Sequence, residues 1–276
     1  MKSAIARLST ETVGFLTEKL RIATDWQAAN QQLGFMSGIE SFFANEDEFA
    51  QCLTLLEPEL AVAERMDRRE YGDFQTPSAL SDAICSHLVR QQVPADVLIE
   101  PTFGQGAFLV SALTHFPGLK EVHGVEIHAS YCWQTKFAIF ELFVRTPALK
   151  RPRILLHHAD VFRFDFRALA RKLSSTGTVF VLGNPPWVTN AELGSLSSRN
   201  LPRKSNIKAL NGLDAITGKG NFDIGEYIIL MMLEAFSEHE GGLAMLAKNS
   251  VIRNLIHDLP RAAHRIGARF ARREPA

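Results

Sequence analysis

The 276 residues are 46% hydrophobic and 22% charged, with 30 Lys and Arg balanced by 30 Asp and Glu. That is the composition of an ordinary globular chain, long enough for one large α/β domain with an appendage; it holds no apolar run of roughly 18 residues for a membrane span and no signal-peptide core. Cys52, Cys85 and Cys132 are an odd set without CxxC spacing, so neither a disulfide framework nor a metal site is expected, and a reducing cytoplasm fits.

Residues 1–70 read as a helical N-terminal extension. Val13, Leu16 and Leu20, then Phe42, Phe43, Phe49, Leu53, Leu56 and Leu60, recur at helical spacing, with a break marked by Gly34 and Gly38. No catalytic constellation stands out here, and packing is the default explanation. Between Glu40 and Glu70 nine acids face only Arg65, Arg68 and Arg69. Gly72-Asp-Phe-Gln-Thr-Pro77 then turns into a helix over 78–92, with Thr76 as N-cap, Pro77 at the first helical position, and Leu80, Ile84 and Leu88 on one face.

Val97 to Ile99 read as a buried strand, and a helix with Phe108, Leu109 and Leu113 follows. Between them lies Glu100-Pro101-x-x-Gly104-x-Gly106-x-Phe108. The glycines admit positive φ or a close backbone approach. A lone GxG is weak evidence; a strand before it, a helix after it and an acid at the strand's end strengthen it. Glu100 suits the cationic side of a zwitterionic ligand. A second strand, 121–126, ends in Glu126, about twenty residues beyond the glycines, where a carboxylate meets ribose hydroxyls in nucleotide-type sites. A helix over 129–144 follows. A third strand, 153–158, leads to Asp160, placed to accept from an adenine amino group; His157 and His158 read as ordinary strand residues.

After a helix near 166–173, Thr178-Val-Phe-Val-Leu182 reads as a fully buried strand. Gly183-Asn184-Pro185-Pro186-Trp187 stops it, since proline cannot donate to a ladder. An exocyclic amine on a nucleobase is a poor nucleophile, because its lone pair is delocalised into the ring. Two acceptors aimed at its N–H bonds, the Asn184 side-chain oxygen and the Pro185 carbonyl, would draw it toward a tetrahedral nitrogen, and prolines fix such acceptors in advance. Trp187 offers a stacking face. The plainer alternative is a strand-ending turn with a core tryptophan. Residues 188–220 are a long polar loop, basic between Arg199 and Lys219; a helix over 222–236, a fifth strand over 241–247 and another helix from Asn249 follow. Alternating strands and helices predict an α/β, doubly wound, mostly parallel Rossmann-like sheet.

Phe-Gln-Thr-Pro, Glu-Pro-x-x-Gly-x-Gly-x-Phe, Gly-Val-Glu, Ala-Asp and Leu-Gly-Asn-Pro-Pro-Trp, in that order, resemble the S-adenosylmethionine-dependent methyltransferases that modify DNA adenine at N6, in the γ order of motifs. The match covers roughly residues 71–256 of a methyltransferase domain placed at 71–276. The resemblance implies that Thr76 and Pro77 lie by the methionine carboxylate of S-adenosyl-L-methionine. It implies that Glu100, Pro101, Gly104 and Gly106 form the methionine pocket. Glu126 would bind the ribose, Ile127 would pack on the adenine ring, and Asp160 and Val161 would read its edge. Asn184, Pro185, Pro186 and Trp187 would hold the target amine of an adenine flipped out of double-stranded DNA, with Asn221 and Tyr227 as further candidates to line the site, and no membrane partner is implied. The family core continues with two further strands and a target-recognition domain. With the sequence ending at Ala276, the expectation is a truncated member, or one that works with a separate recognition chain. An RNA or protein-glutamine methyltransferase is an alternative, as both use NPP-aromatic motifs; so is a non-catalytic cofactor-binding remnant.

Overall fold

The computed structural model describes residues 1–56, 75–173, 177–187 and 223–256. Its sheet contains β1 (Val97–Glu100), β2 (Glu121–Glu126), β3 (Arg153–His158), β4 (Val179–Gly183) and β5 (Gly241–Met245), in the order β3-β2-β1-β4-β5 with every pairing parallel. The chain builds outward from β1 to β3, crosses back, and continues on the other side of β1. This is the expected doubly wound α/β arrangement, and it places a topological switch between β1 and β4.

The apolar runs are continuous because both faces of the sheet are covered. Leu98, Val122, Phe180 and Leu182 face one layer, with α5 (Ser78–Arg90), α6 (Ala107–His115) and α7 (Ala129–Arg145). Val97, Ile99, Val125, Val179 and Val181 face the other, with α8 (Phe166–Lys172) and α9 (Ile224–Ala235). Residues 249–256 form a further helix after β5. Among the described residues no helix is long and apolar enough to cross a membrane.

The N-terminal helices α1 (Lys2–Ile5), α2 (Thr10–Arg21), α3 (Trp26–Ser37) and α4 (Glu46–Leu56) pack in the same core as α7. Phe42 is the pivot, with ring centroids 5.4 to 6.2 Å from Phe43, Trp133, Phe137 and Phe140. Lys136 is buried on α7, yet its ammonium is satisfied: it donates to the Phe42 carbonyl at 2.6 Å and lies 4.7 Å over Trp133. The loop after α3 borders β3, with Ile154 N donating to Gly38 O at 2.8 Å and Glu40 N to Ile154 O at 3.0 Å.

Several local expectations shift. Gly34 lies inside α3, and the helix ends at Gly38. The buried side of α5 is Ser81 and Cys85, with Leu80 exposed; a short polar pair, Ser81 and Ser111 at 2.8 Å, lets α5 and α6 approach closely. Pro77, not Thr76, is the residue before the first turn of α5, and no side chain caps it. Leu60, five of the nine acids between Glu40 and Glu70, the 188–220 loop and Asn221 lie outside the described residues.

The glycine turn is fixed by sterics. Gly104 and Gly106 have φ of 53° and 78°, and an added Cβ would fall 2.6 Å from Gln75 Oε1 and 2.5 Å from Thr135 Cγ2 respectively. Both positions combine the left-handed conformation with a close neighbour. Gly106→Ala is therefore expected to lower stability by about 1–3 kcal/mol, read from the midpoint of urea unfolding. Gly118→Ala, where a Cβ meets nothing within 4 Å, should leave that midpoint nearly unchanged.

Candidate active site

Strands β1 and β4 run side by side, with Ile99 opposite Val181. Glu100 ends β1, and Asn184 follows β4 immediately. Their side chains meet in a cleft at the carboxyl edge of the sheet, the position where open parallel sheets bind ligands. The cleft has a volume of about 170 Å³, roughly ten times what one ordered water needs, so it has room for an organic molecule.

Most of the predicted site residues come together there. Thr76, Glu100, Pro101 and Gly104 line one part of the cleft, Glu126, Ile127, Asp160 and Val161 another, and Asn184, Pro185, Pro186 and Trp187 a third. Two of the predicted residues are not in the wall. Pro77 is exposed at the start of α5, and Gly106 is buried beneath the turn as the residue preceding α6. Tyr227 is also outside the wall: it packs behind it against Phe162, at 5.6 Å between centroids. Asp160 lies two residues beyond β3, and its carboxylate accepts from Phe162 N at 2.9 Å.

Sequence reasoning missed Thr102, His128, Tyr131, Phe162 and Ile224, which also line the cleft. Thr102 sits at an unassigned position of the Glu-Pro-x-x-Gly turn, and His128 and Phe162 directly follow the predicted residues Ile127 and Val161, a few residues beyond β2 and β3. Distance from the recognised strand ends was the available signal for these three. Ile224 reaches the cleft because α9 packs against Pro185 and Pro186, so closely that a Cβ added at Gly225 would fall 3.5 Å from Pro185 Cγ and from Pro186 O; no local pattern announces that.

Glu126 organises the glycine turn. One of its oxygens accepts from Gly104 N at 2.9 Å and the other from His128 N at 2.8 Å. Gln75 Oε1 accepts from Gln105 N at 2.9 Å, and Thr135 Oγ1 donates to Gly104 O at 3.2 Å. The turn is thus tied to β2, to α7 and to the segment before α5. Across the cleft, Asn184 Nδ2 donates to Thr76 Oγ1 at 3.1 Å.

Electrostatically the cleft is an acid pair in a dry wall. Glu100 and Glu126 are 2% and 7% exposed. Burial pushes the Glu100 carboxyl well above its usual range, and the charge of Glu126 adds to the shift. Burial raises Glu126 as well, opposed by the backbone N–H groups of His128 and Gly104. Among the described residues three buried side-chain oxygens of this wall have no hydrogen-bond partner: Glu100 Oε2, Thr102 Oγ1 and Asn184 Oδ1. Unpaired buried polar groups cost about 1–3 kcal/mol each. Gathered in one cleft, they form a surface that gains from a ligand carrying donors and positive charge. Trp187 is 38% exposed at the rim, which does not fit a core tryptophan.

No protein-family model matches the chain. Over 188 residues, 68% of its length, it is 38% identical to the type II methyltransferase M.NspV of Nostoc sp., of whose length it spans 37%. Over 127 residues, 46% of its length, it is 28% identical to ribosomal RNA small subunit methyltransferase A of a Burkholderia species, of whose length it spans 40%. Among solved structures, a methyltransferase subunit of a type I restriction-modification system from Streptococcus thermophilus superposes with a TM-score of 0.46 at 13% identity, over 91% of this chain and 60% of that one. A Listeria monocytogenes protein classed as a class I S-adenosylmethionine-dependent methyltransferase gives 0.48 at 11% identity, over 93% and 80%. Where they match, this chain and M.NspV share well over a third of their residues, and by that kinship the chain is a relative of the type II methyltransferases.

Proposed function

We propose that this chain transfers a methyl group from S-adenosylmethionine to the N6 amine of adenine in DNA. The observation that carries the reading is the cleft wall, where unpaired Glu100 Oε2, Thr102 Oγ1 and Asn184 Oδ1 surround one space. The sequence kinship to a type II methyltransferase supports DNA as the substrate.

The residues present fit the donor. Glu100, acidic and unpaired, suits its ammonium; Glu126 keeps lone pairs free beyond its two backbone bonds and suits the ribose hydroxyls; Ile127, Asp160 and Val161 suit the adenine ring and its edge. Bound there, S-adenosylmethionine supplies a methyl group on a sulfonium, with sulfur as the leaving atom. On the acceptor side, Asn184 Oδ1 and the Pro185 carbonyl accept from the two N–H bonds of the target amine. This localises the nitrogen lone pair before reaction, with little reorganisation during it. Neither group can take up a proton, so the proton lost when the new N–C bond forms passes to water. Trp187, at the rim, stacks on a base rotated out of the duplex, a contact worth about 1–3 kcal/mol.

The match to a ribosomal RNA methyltransferase gives a second reading, with an RNA base in the same acceptor position. Assays of labelled methyl incorporation into duplex DNA and into ribosomal RNA separate the two. Incorporation at adenine N6 of DNA supports the first reading; incorporation into RNA alone replaces it.

Asn184→Ala is expected to lower turnover by about 100-fold or more, the scale of removing one preorganised transition-state partner, while calorimetry finds the affinity for S-adenosylmethionine nearly unchanged. An equal loss of both would contradict the acceptor role.

Glu100→Gln should separate stability from binding. The carboxyl is raised in the folded protein, so its ionisation is disfavoured there relative to the unfolded chain. Wild type therefore loses stability as pH rises from the ordinary carboxylate value, about 4.3, up to the raised folded value. The variant should be more stable than wild type at pH 8, with a smaller difference at pH 4. A cationic donor favours the carboxylate, so wild-type affinity should rise with pH, with proton release detectable in buffers of different ionisation enthalpy. Glu100→Gln should lose affinity and that proton release together.

A further inference from the structure

We infer that Thr76 is a positioning residue that tethers the Asn184 side chain in the cleft. This rests on the methyl-transfer reading above. The sequence resemblance put Thr76 beside the donor's carboxylate. In the structure its hydroxyl oxygen is the recorded partner of Asn184, accepting from Nδ2 at 3.1 Å across a separation of 108 residues. The other end of the same amide, Oδ1, is buried without a partner among the described residues and belongs to the cleft wall.

An amide has one accepting and one donating end, and a threonine hydroxyl can pair with either. What the Thr76 bond fixes is therefore the place of the Asn184 side chain rather than the sense of its amide: with the inner end tethered at 3.1 Å, the outer oxygen stays aimed into the cleft. Without the tether the side chain can change rotamer, and the acceptor leaves the position at which the target amine arrives.

The backbone just before α5 makes Thr76 a fixed partner. Pro77 follows it, with φ of −59° and ψ of 137°, and a residue before proline is held out of the helical region. Gln75, on its other side, is anchored to the glycine turn through Gln105 N at 2.9 Å. The two neighbouring side chains thus reach in different directions: Gln75 holds the turn after β1, and Thr76 holds the asparagine after β4. This short segment bridges the donor half and the acceptor half of the cleft, so displacement of the glycine turn is felt at Asn184.

The test compares Thr76→Val, which keeps the shape and removes the acceptor, with Thr76→Ser, which keeps the hydroxyl, and with Thr76→Ala as a second acceptor-free variant. Methyl incorporation into duplex DNA gives kcat and KM, calorimetry gives the S-adenosylmethionine affinity, and thermal melting reports folding. The expected result is a fall in kcat of roughly 10- to 100-fold for Val and Ala, the scale of a misplaced reacting group, with donor affinity and melting within about twofold and a few degrees of wild type, and recovery of kcat in Ser. Loss of donor affinity with kcat retained would overturn the inference and return Thr76 to the donor's carboxylate. An unchanged kcat in Val and Ala, with an active wild type, would overturn it while leaving the methyl-transfer reading in place. A wild type that binds the donor and methylates neither DNA nor RNA would remove that reading and the inference with it.

Discussion

Two carboxylates buried side by side are the expensive feature around which the rest of this site is arranged. Glu100 and Glu126 close adjacent strands of a parallel sheet, β1 and β2, and both are buried. Left alone, such a pair resists ionisation, because burial and mutual repulsion act in the same direction. Glu126 is relieved by two backbone N–H groups, one from the glycine turn and one from the start of the α7 region. Glu100 is not relieved to the same extent, and one of its oxygens has no partner among the described residues. The imbalance leaves Glu100 the less satisfied of the two carboxyls.

That asymmetry depends on the glycine turn. Gly104 can donate to Glu126 only because its backbone adopts a left-handed conformation that brings it against Gln75, and Gly106 turns the chain into α6 against Thr135. The turn is therefore clamped from both sides, by α7 and by the segment before α5. α7 is itself immobilised by the N-terminal helices, through the aromatic cluster about Phe42 and the Lys136 ammonium. The N-terminal helices thus bear on the cleft through the packing of α7. Arg7, just beyond α1, adds a direct link, donating to Gln105 at 3.1 Å and to Gln134 at 2.7 Å.

On the far side of the switch point the logic is rigidity rather than charge. Asn184 carries no charge and demands little solvation, so its function in the proposed chemistry depends on orientation alone. Pro185 and Pro186 fix the backbone, α9 packs beneath them, and the amide is tied to Thr76. In the proposed chemistry, electrostatics selects in the donor half of the cleft and geometry in the acceptor half, so binding and turnover are separable.

The residues by themselves determined the sheet and its chemical edge. Unbroken apolar runs at 97–99 and 178–182 mean strands covered on both faces, prolines and glycines mark where they stop, and the polar residue left at each stop is where a parallel sheet can expose function. Thus Glu100, Glu126 and Asn184 were legible one strand at a time. What the sequence did not determine was partnership between distant segments. Its cap rules put Thr76 at the start of α5, whereas tertiary packing placed its hydroxyl against Asn184; helical periodicity grouped Leu80, Ile84 and Leu88 on one face, whereas in the folded chain Ser81 and Cys85 are the buried residues of α5 and Leu80 is exposed. Local pattern reports the conformation of a segment and the polarity of its faces. The unpaired oxygens of the cleft arise from which segments meet at the switch point, and only the folded arrangement decides that.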